Sequence, residues 1–351
     1  MKGSILVPDS AVISGSGIGS PGSSTGRLAL FRGVLDPQFV MSDPATAGLI
    51  LVSNYPLLGS AGVRKGMDQS DRIWAEGLIC PEICDFPTYY RYYKNVLTLL
   101  QNKGRRAVTN ANMDRVIPLA MDEKVASISV GRKSKNGSRR AKEEVFGDPS
   151  KDRTWSDQTT VETPTKMGSA RPKGNLVVMD LGIRSGIISY LRGDLNLLIC
   201  HPDHFSDEME PDGIMISNGP GDLPSRKLIA MVKKNLDRLE DIPVFAYGMG
   251  ALALFSMMGW DLEKLRIPHR GSSIMVGPKF RPSYQNHLWY PVPEKGWNVT
   301  ERCRSDDTPE GITNIDKRIF ATMYDPLPDI RSPRKGQPFR KFREMVMEGT
   351  K

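Results

Sequence analysis

I-P-V-F-A-Y-G-M-G-A-L-A-L-F-S-M-M, residues Ile242 to Met258, reads as a buried strand, a tight turn and a helix. The strand covers Pro243 to Ala246, the turn is Tyr247-Gly248-Met249-Gly250, and the helix runs through Met258. A strand that breaks sharply into a helix is the geometry of a nucleophile elbow. Its tip residue is held in a strained conformation facing a crevice, with backbone N–H groups nearby for an oxyanion. Here the tip is Gly248. Glycine adopts φ > 0 without steric cost, but it has no side chain with which to attack a carbonyl. The stretch therefore predicts the frame of an enzyme without its reactive atom.

Around this stretch the pattern from Asn175 onward alternates strand and helix. Leu176–Met179, Leu195–Cys200 and Gly213–Ser217 read as strands, and Ile183–Leu191 and Leu228–Leu239 as helices. The alternation predicts an α/β fold with a parallel sheet and flanking helices, whose chemistry sits at the carboxyl ends of the strands. The turn Asn218-Gly219-Pro220-Gly221-Asp222 and the Gly248 turn both fall there. Cys200-His201-Pro202-Asp203-His204 also ends a strand and reads as a polar loop. Residues 1–130 read as a smaller, β-rich domain with short helices. Within it, Gly15–Ser20 (G-S-G-I-G-S) lacks the strand–helix context of a phosphate loop and is expected to be turn structure. Tyr89 to Leu100 carries helical spacing with its aromatics in the core. Cys80 and Cys84 are read as structural thiols, since no further metal ligands stand nearby. No metal or cofactor is expected.

The chain of 351 residues carries 48 Lys and Arg against 40 Asp and Glu, a net charge of +8. Residues 131–173 hold 11 Lys/Arg against 6 Asp/Glu, and residues 331–351 hold 7 against 2. The body between is close to neutral, so 131–173 reads as a basic linker or arm, 174–330 as the α/β domain, and 331–351 as a basic tail. Concentrated, flexible positive charge attracts polyanions such as RNA phosphate. Arg132, Lys133, Lys135, Arg139, Arg140, Arg334, Lys335, Arg340, Lys341 and Arg343 are the candidate contacts to RNA or to a protein partner. In the tail, Phe339, Phe342, Met345 and Val346 predict an amphipathic helix that packs on its parent domain or docks on a partner. Four cysteines fit a reducing compartment, the mitochondrial matrix or the cytoplasm. The first ten residues show no presequence, and no apolar run approaches the roughly 20 residues that span a bilayer.

These residues resemble the small, glutamine-hydrolysing subunit of carbamoyl phosphate synthetase, with a class I glutamine amidotransferase domain in the carboxyl half. Pro211–Asp222 (P-D-G-I-M-I-S-N-G-P-G-D) is similar to the family's oxyanion strand and turn, and Gln285-Asn286-His287 to its Q-N-H. Ser42–Val63 is similar to its T-D-P-S-Y segment, and Ile242–Leu252 to its I-P-V-F-G-I-C-L-G-H-Q elbow. The resemblance implies catalysis by a cysteine thiolate, a histidine base and an orienting glutamate. Those positions are Gly248, Asp325 and Leu327 here. The vestigial oxyanion and pocket positions it implies are Gly219, Gly221, Met249, Leu252, Ala45 and Leu288, with Leu288-Trp289 expected to crowd the former pocket. Cys200, Cys303 and His269 fall elsewhere in the alignment, so no replacement triad is expected.

Two functions follow from this reading. One is a dead glutaminase recruited as a structural subunit of a larger complex, in its sharpest form a ribonucleoprotein such as a mitochondrial ribosome. The other is a non-catalytic or regulatory partner of a carbamoyl phosphate synthetase large subunit that uses free ammonia. The departure at Gly33–Val40, where the family's S-M-T-G-Y-Q-E becomes V-L-D-P-Q-F-V, weighs against the second. Active hydrolysis of another amide would require a nucleophile that the alignment does not supply.

Overall fold

The computed structural model describes residues 1–8, 10–33, 36–131, 159–205, 210–238, 241–326 and 337–348. They fall into two compact units, Met1–Lys151 with Arg270–Ser272, and Asp152–His269 with Ser273–Lys351. No described helix is long and apolar enough to cross a membrane. Leu327, Arg132, Lys133, Lys135, Arg139, Arg140, Arg334 and Lys335 lie outside the described residues.

The first unit is built from β1 (Lys2–Leu6), β2 (Ile13–Gly19), β3 (Gly22–Leu30), β4 (Leu49–Val52), β5 (Gly77–Ile79), β6 (Arg106–Thr109) and β7 (Val125–Val130). They close into a barrel in the order β1-β2-β6-β5-β4-β3-β7, filled by Ile5, Leu28, Ile50, Ile79, Val108 and Ile128. Closure pairs every edge, which removes the exposed N–H and C=O rows of an open sheet. The G-S-G-I-G-S run, expected as a turn, lies mostly within β2. A Cβ on Gly15 would stand 2.5 Å from the Thr109 carbonyl oxygen, and one on Gly17 2.8 Å from that of Lys2. The glycines therefore serve close strand approach.

Three short helices accompany the barrel, α1 (Pro37–Met41), α2 (Val96–Asn102) and α3 (Met113–Met121). The helix expected from Tyr89 begins only at Val96, because the Asn95 side chain caps it by accepting the Thr98 N–H at 2.9 Å. The preceding tyrosines are surface residues, with Tyr90 76% and Tyr93 50% exposed. Helical spacing there was carried by Val96, Leu99 and Leu100 alone, so the aromatic extension of the pattern was coincidental.

The second unit holds β8 (Thr165–Met167), β9 (Asn175–Met179), β10 (Asn196–Cys200), β11 (Gly213–Ile216), β12 (Val244–Tyr247), β13 (Leu262–Val276), β14 (Arg281–Pro291), β15 (Asn298–Arg302), β16 (Pro309–Asn314) and β17 (Ile319–Thr322). Eight of these form one sheet in the order β15-β16-β17-β12-β11-β9-β10-β8, while β13 and β14 pair separately. The run from β17 to β10 is parallel. Both faces of that run are covered, which is why β11 and β12 are uninterrupted apolar sequences rather than alternating ones.

Alternate residues of β11 and β12 serve opposite faces. Ile214, Ile216, Val244 and Ala246 pack with Leu228 and Val232 of α5 (Arg226–Leu236) and Leu252 and Phe255 of α6 (Met249–Met257). Met215, Phe245 and Tyr247 pack with Ile187 of α4 (Ser185–Leu191) and Phe339, Phe342 and Val346 of α7 (Gln337–Glu348). The apolar face of the tail helix thus covers its own domain, with the Phe245 ring 5.0 Å from Phe339 and 5.5 Å from Phe342. Arg340 and Lys341 point outward, whereas Arg343 pairs with Asp194 and donates to the Tyr190 hydroxyl at 3.0 Å.

Helix α5 starts at Ser225, whose hydroxyl accepts the Leu228 N–H at 3.1 Å. Ser225→Ala should cost about 1 kcal/mol in a denaturant titration, the usual worth of such a cap. An unchanged midpoint would show that the cap is redundant.

Candidate functional site

Parallel register assembles the site. Ile216 pairs with Ala246, so two residues further on Asn218 stands beside Gly248. Tyr247 pairs with Thr322, which brings the Met323–Pro326 segment to the same carboxyl edge. Gly248 has φ +54° and ψ −121°, and it interrupts the chain between β12 and α6. Those angles belong to a strained region that L-residues enter only when the surroundings compel them. The sequence-predicted elbow is therefore present in its backbone. The Gly248 N–H donates to the Thr322 carbonyl at 3.0 Å, and its own carbonyl accepts the Leu252 N–H at 3.1 Å.

The side chains around the tip are arranged in an unusual way for an elbow. Asn218 Oδ1 accepts the Met249 N–H at 2.8 Å. That N–H is the one an elbow presents to a developing oxyanion. The Asn218 amide also occupies the space next to Gly248, where an added Cβ would overlap its Oδ1 and stand 3.0 Å from Nδ2. The glycine turn approaches the β9 loop closely, since a Cβ on Gly219 would lie 2.5 Å from the Leu181 carbonyl oxygen. Gly221 is at φ +103° with the Met249 methyl nearby.

Asp325 is buried, and its two oxygens receive Arg184 Nε at 2.8 Å and Nη2 at 2.7 Å. Both side chains are 4% exposed, and the guanidinium lies 5.2 Å from the centre of the Tyr284 ring. Two parallel N–H···O bonds make a fork that fixes the carboxylate's orientation as well as its charge. Arg184 is positioned by the β9–α4 loop, where Asp180 accepts N–H bonds from Gly182 at 2.8 Å and Ile183 at 2.7 Å. Burial raises the Asp180 carboxyl above its ordinary pKa in spite of those bonds. Sequence reading missed Arg184 as the partner, because 141 residues separate it from Asp325 and nothing local marks the pair.

The remaining predicted positions are dispersed. Leu252 is buried in α6, and Leu288 is buried in β14 beside the half-buried Trp289. Ala45 belongs to the first unit, where it sits in the Pro44–Thr46 turn with its N–H bonded to the Asp43 carboxylate at 3.0 Å. Gln285-Asn286-His287 lies within β14. Its extended backbone puts the Gln285 and His287 side chains on one side, 3.0 Å apart from Oε1 to Nε2.

Elsewhere in the second unit the structure joins groups that the alignment kept apart. His269 of β13 holds Glu310 of β16 through Nδ1 at 2.8 Å and Asp306 through Nε2 at 2.8 Å. Cys303 Sγ lies 3.7 Å from the same Nε2. Burial disfavours charge on the imidazole, but hydrogen bonds with Asp306, Cys303 and Glu310 outweigh it and push the pKa up to about 11. Glu310 is likewise held below its ordinary value, since His287 and His269 overcome the effect of its burial. A thiol, an imidazole and carboxylates thus meet, although no replacement triad was expected from the alignment. Cys303 is only 1% exposed, so this grouping offers an amide substrate no approach to the sulfur.

The class of protein follows from the elbow on its parallel sheet. The family model described as glutamine amidotransferase class-I matches residues 177–326. That described as carbamoyl-phosphate synthase small chain, CPSase domain, matches residues 5–117. The chain belongs to the carbamoyl phosphate synthase small-chain family. It is 28% identical over 340 residues to the carbamoyl phosphate synthase small chain of Clostridium acetobutylicum, covering 93% of this chain and 95% of that one. With the pyrimidine-specific small chain of Bacillus subtilis it shares 26% over 360 residues, covering 99% and 96%.

These relatives overturn the expectation of a ribonucleoprotein subunit. Similarity over nearly the whole chain is to carbamoyl phosphate synthase small chains, and it favours a synthetase partner. The expected ribosomal, RNA-binding and mitochondrial roles fall with it. They rested on net charge in two segments, which measures attraction to any polyanion and names no partner.

Proposed function

We propose that this chain is a small-chain homologue that has given up glutamine hydrolysis and acts as a non-catalytic or regulatory partner of a carbamoyl phosphate synthetase large subunit using free ammonia. The observation that carries the reading is the elbow tip, where Gly248 keeps the strained backbone and supplies no nucleophile. Two further features support it. The Met249 N–H is engaged by Asn218, and Asp325 at the position of the family histidine is engaged by Arg184. A carboxylate clamped by a guanidinium is a poor general base, because protonation would leave the cation buried and unpaired. Gly248, Asp325 and Leu327 are accordingly the degenerate catalytic positions, with Gly219, Gly221, Met249, Leu252, Ala45 and Leu288 as remnants of the oxyanion and glutamine pocket.

The match of residues 5–117 to the CPSase domain supports retention of the synthetase-binding role. Tagged full-length protein should co-purify a synthetase large subunit of about the usual partner stoichiometry. The purified pair should form carbamoyl phosphate from ammonium and none from glutamine. Failure to capture such a subunit, or glutamine-supported synthesis by the pair, would overturn this reading.

A further inference from the structure

We propose that His269, Cys303 and Asp306 form a zinc-binding site in the second unit, with Glu310 as the residue that orients the imidazole. His269 Nε2 faces both of the other candidate ligands. His269 comes from β13, while Cys303 and Asp306 flank the turn that joins β15 to β16. Their spacing, Cys303-Arg304-Ser305-Asp306, puts a thiol and a carboxylate on the same chain reversal.

The distances suit an ion of that size. With Zn–S near 2.3 Å and Zn–N near 2.0 Å, tetrahedral binding separates sulfur from nitrogen by about 3.5 Å. Cys303 Sγ and His269 Nε2 are 3.7 Å apart. Asp306 Oδ2 is 2.8 Å from Nε2, a hydrogen-bond separation. The proton shared there is the one that a metal ion displaces on binding, after which the pair opens by about half an ångström.

The supporting groups match what a metal-bound histidine needs. Such a ring donates its second N–H to a carboxylate that fixes its tautomer and orientation. Glu310 Oε1 stands 2.8 Å from Nδ1 in that role. Asp306 is held from behind, since its Oδ1 accepts the Thr308 hydroxyl at 2.8 Å and the Thr308 N–H at 3.2 Å. The Ser305 hydroxyl lies 3.1 Å from Cys303 Sγ, where it can donate to a thiolate.

Glu310 is wholly buried. His269 and Cys303 are each 1% exposed, while the Asp306 side chain is 36% exposed. A mixed thiolate, imidazole and carboxylate set selects zinc over the hard cations magnesium and calcium.

Full-length protein stripped with a chelator and titrated with zinc should take up one ion per chain. Loading with cobalt(II) in place of zinc should produce a thiolate-to-metal charge-transfer band in the near ultraviolet. Cys303→Ser should abolish that band, and Cys80→Ser should leave it intact. Glu310→Gln should weaken zinc binding about 10–100-fold, the usual loss on removing an orienting carboxylate. Should the buried variants misfold, Asp306→Asn at the half-exposed position is expected to fold and to weaken zinc binding at least 10-fold, a second-partner-sized loss or greater. Absence of stoichiometric zinc, or a charge-transfer band that survives Cys303→Ser, would overturn the site. None of these readouts depends on the synthetase partner, so they stand apart from the proposed function.

Discussion

Arg184→Met is expected to destabilise the chain by about 3–5 kcal/mol, because it leaves the Asp325 carboxylate buried without its cation. The pair is 4% exposed on both sides and doubly hydrogen-bonded, so water cannot replace the missing guanidinium. Asp325→Leu should cost a similar amount by stranding Arg184. The double variant Arg184→Met with Asp325→Leu should recover much of the loss, since exchange of a whole buried pair for apolar residues is often neutral. Urea titrations of the three variants and the parent measure this directly. Single and double variants of equal stability would mean that the fork is not a coupled pair. Asp325→His, the change that would restore the family residue, meets the same obstacle by placing an imidazole against Arg184.

Gly248→Cys is expected to leave glutamine hydrolysis at the level of buffer and to lower stability. A residue with a Cβ at φ +54° carries strain of about 1–3 kcal/mol. The new side chain also has to displace the Asn218 amide, which forfeits the bond to the Met249 N–H, worth about 1 kcal/mol. A thiol there would still find Asp325 in place of a base. Strain of this kind is tolerated where the surroundings are shaped for it, and Asn218 shows that they are now shaped for glycine. Ammonia release from glutamine and the midpoint of denaturation are the two readouts. Substantial hydrolysis by this single variant would show that another group serves as the base.

Much of the fold was legible because its signals are local. The apolar runs of β11 and β12 and the glycine between β12 and α6 carry their own meaning, and they mark the parallel sheet and the elbow without any knowledge of contacts. The positions of Gly248 and Met249 were legible for the same reason. What lay beyond the sequence were pairings over long separations. Arg184 with Asp325, and His269 with Cys303 and Glu310, are brought together only by sheet order. The barrel glycines misled in the opposite direction. Gly15 and Gly17 were read through the usual association of glycine with turns, but their role is to let neighbouring backbones come close. Charge was the weakest guide of all. It described two segments correctly as basic, and its extension to RNA was not supported by the relatives.

The most direct test of the account is exposure of the full chain to an electrophilic glutamine analogue, followed by intact-mass spectrometry and an assay of ammonia from glutamine itself. An unmodified mass and no ammonia above buffer are expected. A covalent adduct mapped to any side chain beside Gly248, or sustained ammonia release, would contradict it.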